Sequence, residues 1–180
     1  AAMAPDQLGL RLERKGVACF FEKPSARTRN PTEVAVVQLG GHPVYIGPTE
    51  LGIDDRESAE DVIRTLACYH EVFCGRVYDH TVLERMTAVD EIPVVNLLSD
   101  QAHPTQAVAD VLTIIDEFGT LDGKVVTYVG DSNNVTRSLA LAVGALGGAM
   151  RIGSPSGYQF DDVQLDRLPA NGVAVPPSDR

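Results

Sequence analysis

Apolar and polar positions along this chain alternate between two regimes. Short β-branched or aromatic runs bounded by turn residues occur at Val17–Phe21, Pro43–Ile46, Val94–Leu98 and Lys124–Val129, and their nearly unbroken apolar character predicts buried strands. Val72-Phe73-Cys74 is a weaker run of the same kind. Between the runs the apolar spacing lengthens to three or four. Val62, Leu66 and Tyr69 share one face of a helix predicted from Ser58 to Tyr69, with Ser58 placed to cap it. Pro104 to Phe118 puts Val108, Val111, Leu112 and Ile115 on one face, with proline in the first turn and Gly119 as the stop. A further helix is predicted over Leu139–Leu146, ending at Gly147-Gly148.

Strands alternating with helices predict an α/β protein: a doubly wound parallel sheet, with ligands beyond the carboxyl ends of its strands. The turn Leu121-Asp122-Gly123 ahead of a new strand places a domain boundary near Gly119. Residues 1–119 are then a first domain and 120–180 the start of a second, incomplete α/β domain, with the Pro104 helix bridging the two. Only about two strand–helix units follow Lys124, and Asn171–Arg180, with its Pro176-Pro177 pair, completes no element.

The composition narrows the function classes. A hydrophobic share of 44% and a charged share of 22% are those of an ordinary globular protein. No segment approaches the ~20 consecutive apolar residues of a membrane helix. Ala1-Ala2-Met3-Ala4-Pro5 lacks the basic and apolar blocks of a secretory signal, which makes the cytoplasm the expected location. A formal charge of −10 opposes binding to nucleic-acid backbones, so any anionic ligand must be held by a local cluster of donors. Cys19, Cys68 and Cys74 form no CxxC pair and are expected to be buried free thiols.

One such cluster is Phe21-Glu22-Lys23-Pro24-Ser25-Ala26-Arg27-Thr28-Arg29, which starts where a predicted strand ends and leads into a helix. Hydroxyls, helix N–H groups and guanidinium forks are what a phosphate needs; the competing reading is an ordinary N-cap with solvated arginines. At His103-Pro104-Thr105-Gln106 the proline starts a helix, so that His103 and Gln106, three apart, point toward one ligand. Arg76, in Gly75-Arg76-Val77-Tyr78, ends the weak strand, where an arginine is commonly a solvated charge. Gly130-Asp131-Ser132-Asn133-Asn134 lies at another strand–helix turn; it lacks the GxGxxG spacing of a dinucleotide loop, and asparagines there also serve as helix caps.

Taken together, FEKxSxRTR, the later arginine, HPxQ and GDxNN, in this order, resemble the signatures of the aspartate/ornithine carbamoyltransferase family, over about Cys19 to Gly157. The resemblance implies that Ser25, Ala26, Arg27 and Thr28 hold the phosphate of carbamoyl phosphate and that Arg76 reaches both phosphate and carbamoyl oxygen. It implies that His103 binds the carbamoyl oxygen, Gln106 the amino group, and Asn134 the amino-acid end of ornithine. Arg27, Arg76 and His103 would be the catalytic residues. The implied reaction is carbamoyl transfer to the δ-amino group of ornithine, giving citrulline and phosphate, with no metal or organic cofactor. Family members assemble as trimers, so a homo-oligomer is expected.

An aspartate-type transferase shares the phosphate and HPxQ signatures, but Lys23 and the GDSNN asparagines favour ornithine. A non-catalytic anion-binding domain is the alternative from another class. Four features depart from the family pattern. Ala26 stands where threonine is usual, Asn30-Pro31-Thr32-Glu33 replaces a Ser-Phe-Glu neighbourhood, and Glu50 occupies the place of a Gln or His that reaches a neighbouring subunit's phosphate. Pro31 is expected to be tolerated only in a first helical turn. The chain contains neither a DxxxSM nor an HCLP segment, so it is expected to bind carbamoyl phosphate without turning over.

Overall fold

The computed structural model describes residues 9–166 and 168, and the backbone of 173–174. The Ala1–Pro5 segment and Pro176-Pro177 lie outside the described residues. Contacts divide the chain into two compact units, residues 2–100 and residues 101–180.

The first unit runs β1 (Gly16–Phe21), α1 (Ala26–Gln38), β2 (His42–Ile46), α2 (Pro48–Leu51), α3 (Ala59–Ala67), β3 (Val72–Arg76), α4 (His80–Val89) and β4 (Val94–Leu98). All pairings are parallel, in the order β2-β1-β3-β4. The strands are apolar on both sides because both sides are covered. Ala18 and Phe20 of β1 and Phe73 of β3 enter one core, with Val62, Ile63 and Leu66 of α3 and Leu83 and Met86 of α4. Val17, Cys19, Phe21 and Cys74 face the other way, against Val36 of α1. The Phe20 and Phe73 rings stack at 6.2 Å. Ser58 caps α3 as expected, its hydroxyl accepting from the Asp61 N–H at 3.1 Å, and Asp79 caps α4 in the same way through Thr81.

Three expectations fail in this unit. α3 ends at Ala67, and Tyr69, expected on its apolar face, is exposed. α1 continues through Pro31 instead of holding it in the first turn. The missing proline N–H and ring clash cost ~3 kcal/mol in a helix interior. Val36 anchors the far side of the helix in the core, and Thr32 Oγ1 donates to the Thr28 carbonyl at 2.8 Å. The cysteines also divide: Cys19 and Cys74 are buried free thiols, but Cys68, at the exposed end of α3, is not buried.

The second unit contains α5 (Pro104–Phe118), β5 (Val125–Val129), α6 (Asn134–Ala145), β6 (Ala149–Gly153), α7 (Asp162–Asp166) and β7 (Val173–Ala174). β5, β6 and β7 pair in that order, all parallel. Their core joins Met150 and Ile152 to Leu139, Ala140 and Val143 of α6 and to Val111 of α5. α5 therefore belongs with this unit and packs on α6, and of the face expected from Val108, Val111, Leu112 and Ile115, Val111 and Ile115 join the core while Val108 and Leu112 do not. Those two side chains are exposed; Ala107 and Val111 are buried, with Ile114 and Ile115 beside them. No helix among the described residues is long and apolar enough to cross a membrane.

Candidate functional site

In the first sheet the chain passes from β1 to β2 on one side and then returns to lay β3 on the other, so strand order reverses between β1 and β3. Ligands of open α/β sheets sit in the crevice outside the carboxyl ends of the strands at this kind of point. The candidate residues of the first unit lie there: Ser25 to Thr28 follow β1, and Arg76 ends β3.

Ser25 is the N-cap of α1, in extended conformation at φ −158°, yet its side chain makes no capping bond. Its hydroxyl donates instead to Thr28 Oγ1 at 3.1 Å, and Arg76 Nη1 donates to the same oxygen at 3.1 Å. The first N–H groups of a 13-residue helix are thus left without a side-chain acceptor, at the positive end of its dipole. The Thr28 hydroxyl, accepting twice, keeps its own proton for a further acceptor.

Arg76 is half-buried, and burial holds its guanidinium below the ordinary value; the charge of Arg27 pushes the same way, and Tyr78 opposes them. Arg76 Nε is buried with no hydrogen-bond partner. Among the described residues no carboxylate forms an ion pair with Arg27 or Arg76. Two guanidiniums that repel each other beside an uncapped helix start, in a protein of charge −10, are the donor set that an anion would need.

The backbone that carries Arg76 is held at both sides. Glu22 N–H donates to the Arg76 carbonyl at 2.9 Å, and Glu22 Oε2 accepts from the Tyr78 N–H at 2.6 Å. On the other side, Asp100 N–H donates to the Tyr78 carbonyl at 2.9 Å. The β3–β4 register shifts at Gly75/Arg76, a bulge that re-aims the strand end. Arg29 was not among the expected site residues. It stacks on Tyr45, 3.7 Å from the ring centroid, and pairs with Glu33 at 2.7 Å; the Arg–Glu spacing of four was the available signal. Arg29, Tyr45, Ser25, Ala26 and Asn30 line a cavity of about 320 Å³, into which the small Ala26 opens. A larger cavity of about 550 Å³ carries Glu22, Asp54, Asp55 and Asp79 against the single cation Arg56, a lining that repels anions.

The other candidates lie in the second unit. His103 is the N-cap of α5, its N–H donating to Ser138 Oγ at 2.8 Å, and Ser138 Oγ donates in turn to the carbonyl of Asn134, the first residue of α6. His103 and Asn134 are thereby fixed to one another through one hydroxyl. Gln106 donates from Nε2 to Asp110 at 2.8 Å. Asn133 caps α6, accepting from the Val135 and Thr136 N–H groups, while Asn134 Oδ1 also accepts from the Val135 N–H at 3.0 Å. Both asparagines therefore accept N–H groups of the helix start, the capping role open to them at such a turn. Glu50 folds back on its own short helix, accepting the Gly47 N–H at 2.5 Å. Among the described residues no group of three or more His, Cys, Asp or Glu is placed to hold a metal ion.

Residues 2–116 match the family model described as aspartate/ornithine carbamoyltransferase, carbamoyl-P binding domain. The chain belongs to this family. The ornithine carbamoyltransferase of Thermus thermophilus is 44% identical over 162 residues, which are 90% of this chain and 54% of that protein. The solved ornithine carbamoyltransferase of Pyrococcus furiosus superposes with a TM-score of 0.84 at 41% identity, covering 88% of this chain and 50% of that one. That of Burkholderia thailandensis superposes with a TM-score of 0.86 at 30% identity, over 92% and 57% of the two chains. The chain spans about half the length of the curated relatives it matches. The family match extends across the Ser25–Thr28 segment, Arg76, His103 and Gln106, and stops before Asn134.

Proposed function

We propose that this chain binds carbamoyl phosphate through Ser25, Arg27, Thr28 and Arg76, with His103 and Gln106 on the carbamoyl group. We propose further that it serves transfer of that group to the δ-amino nitrogen of ornithine. The observation that carries the reading is the uncapped start of α1, where the Arg27 and Arg76 charges and the Thr28 hydroxyl gather without a carboxylate partner. Helix N–H groups, including that of Ala26, take phosphate oxygens without needing the hydroxyl that threonine would supply there.

The chemistry follows from where charge develops. The δ-amino nitrogen attacks the carbonyl carbon, negative charge builds on the carbamoyl oxygen, and the carbon–oxygen bond to phosphate then breaks. Arg76, donating to both oxygens, and His103 stabilise that developing charge, while the α1 cluster holds the leaving phosphate. Gln106 turns from Asp110 to the carbamoyl amino group, and Asn134 receives the amino-acid end of ornithine. Similarity to proteins named ornithine carbamoyltransferase supports ornithine over aspartate as acceptor. Assembly into a homotrimer in the cytoplasm completes the reading. The test is thermal unfolding with and without carbamoyl phosphate. A raised melting temperature in the wild type, lost in Arg27→Ala without change to the unliganded protein, is the expected result. An equal shift in Arg27→Ala would remove the α1 cluster from the site.

A further inference from the structure

Cys19 and Cys74 take no part in the chemistry above, yet their placement is specific. They are register partners on the parallel neighbours β1 and β3, so their side chains leave the sheet on the same face. Both lie in the core cluster under α1, Cys19 fully buried and Cys74 6% exposed. Cys19 Sγ donates to the Val17 carbonyl at 3.8 Å. The interaction of the two thiols, with burial, pushes the Cys74 thiol up, and it draws Cys19 down. Neighbouring strands run ~4.8 Å apart, inside the Cα separation that a disulfide spans.

We propose that Cys19 and Cys74 are an oxidisable dithiol, which a small hydroperoxide converts to an intrachain disulfide that is felt at Arg76. The Cys19 sulfur, as thiolate, attacks the terminal peroxide oxygen, breaking the O–O bond to give a sulfenic acid and releasing hydroxide or alkoxide, which takes up a proton. The Cys74 sulfur then displaces that hydroxyl as water, forming the S–S bond. Two thiols and one hydroperoxide give one disulfide, one water and one water or alcohol. Closing the bond draws the two Cβ atoms from strand spacing toward ~3.8 Å. Two positions on, the register pair on the same face is Phe21 with Arg76, on the strand ends that lead to Ser25 and carry the guanidinium, so the pull falls on the anion site.

The experiment treats the full chain with hydrogen peroxide, blocks remaining thiols under denaturing conditions and maps the peptides by mass. The expected result is a Cys19–Cys74 cross-link, with the mass of two hydrogens lost. Cys68, which is exposed and donates to the Arg64 carbonyl, serves as the internal control that the oxidant is active. Cys19→Ala and Cys74→Ala should each abolish the loss, and the wild-type map stands even if a variant fails to fold. Oxidation of Cys68 with Cys19 and Cys74 both still blocked as thiols would overturn the site. In the same preparation, phosphate should raise the melting temperature of the oxidised protein less than that of the reduced one. Equal shifts would overturn the coupling to Arg76. A reduced protein that ignores phosphate would overturn the coupling and the binding reading together, while the cross-link map would still decide the dithiol.

Discussion

Replacing Thr28 by valine tests the proposed anion site at the oxygen on which two of its donors meet. Thr28 Oγ1 is where Ser25 Oγ and Arg76 Nη1 meet, each at 3.1 Å, and valine keeps the β-branched shape while deleting that oxygen. Arg76 then loses a partner on a side chain whose Nε already has none, and an anion loses the Thr28 proton. A hydrogen bond to a charged group contributes about 1.5–3 kcal/mol, and 1.4 kcal/mol is tenfold in affinity, so carbamoyl phosphate should bind roughly ten- to a hundredfold more weakly. Calorimetric titration at fixed ionic strength is the assay, since exposed charges such as Arg27 are screened by salt. Thr113→Val is the control: Thr113 is another helical threonine, its hydroxyl donating to the Ala109 carbonyl, and it is none of the candidate site residues, so its affinity should match the wild type. Wild-type affinity in Thr28→Val would refute the convergence of Ser25, Thr28 and Arg76 on the ligand.

Other outcomes follow from the packing and the charges. Phe73→Ala removes a fully buried ring stacked on Phe20 and should cost about 3–5 kcal/mol, read as a lowered midpoint in urea. Gly75→Ala places a Cβ 2.7 Å from Leu83 Cδ2 and 2.8 Å from Phe73 Cε1, so it should destabilise by about 1–3 kcal/mol, measured the same way. Arg85 holds the Glu60 carboxyl at about 2, below its ordinary 4.5. A depressed carboxylate stabilises the fold above its unfolded value and loses that contribution as pH falls from about 4.5 toward about 2. Urea midpoints over that range should therefore fall more steeply in the wild type than in Arg85→Met.

The strands were legible because both faces of the first sheet are buried, which turns each into an apolar run. β3 reads as weak because Gly75 and Arg76 look like a break; in the fold, Gly75 is a packing requirement and Arg76 the last residue of the strand. The start of α6 was read five residues late, at Leu139. Asn134, Thr136 and Ser138 look like loop residues, yet Thr136 and Ser138 are buried, with hydroxyls spent on the Asp131 and Asn134 carbonyls. α4 went unread although Asp79 was in place to cap it. At the candidate site, motif order names the residues to consider, but the Arg76–Thr28 bond joins positions 48 apart, and only the β1–β3 pairing creates it. The uncapped state of Ser25 was equally invisible, because a serine at a helix start ordinarily caps it.

The claim on which the account turns is that the start of α1 receives the phosphate of carbamoyl phosphate. Amide chemical shifts followed during titration with carbamoyl phosphate report that directly. The account predicts the largest changes at the N–H groups of Ala26, Arg27 and Thr28, which lack a side-chain cap in the free protein. Unchanged amides there, with shifts gathered instead around Asp54, Asp55 and Asp79 in the larger cavity, would contradict it.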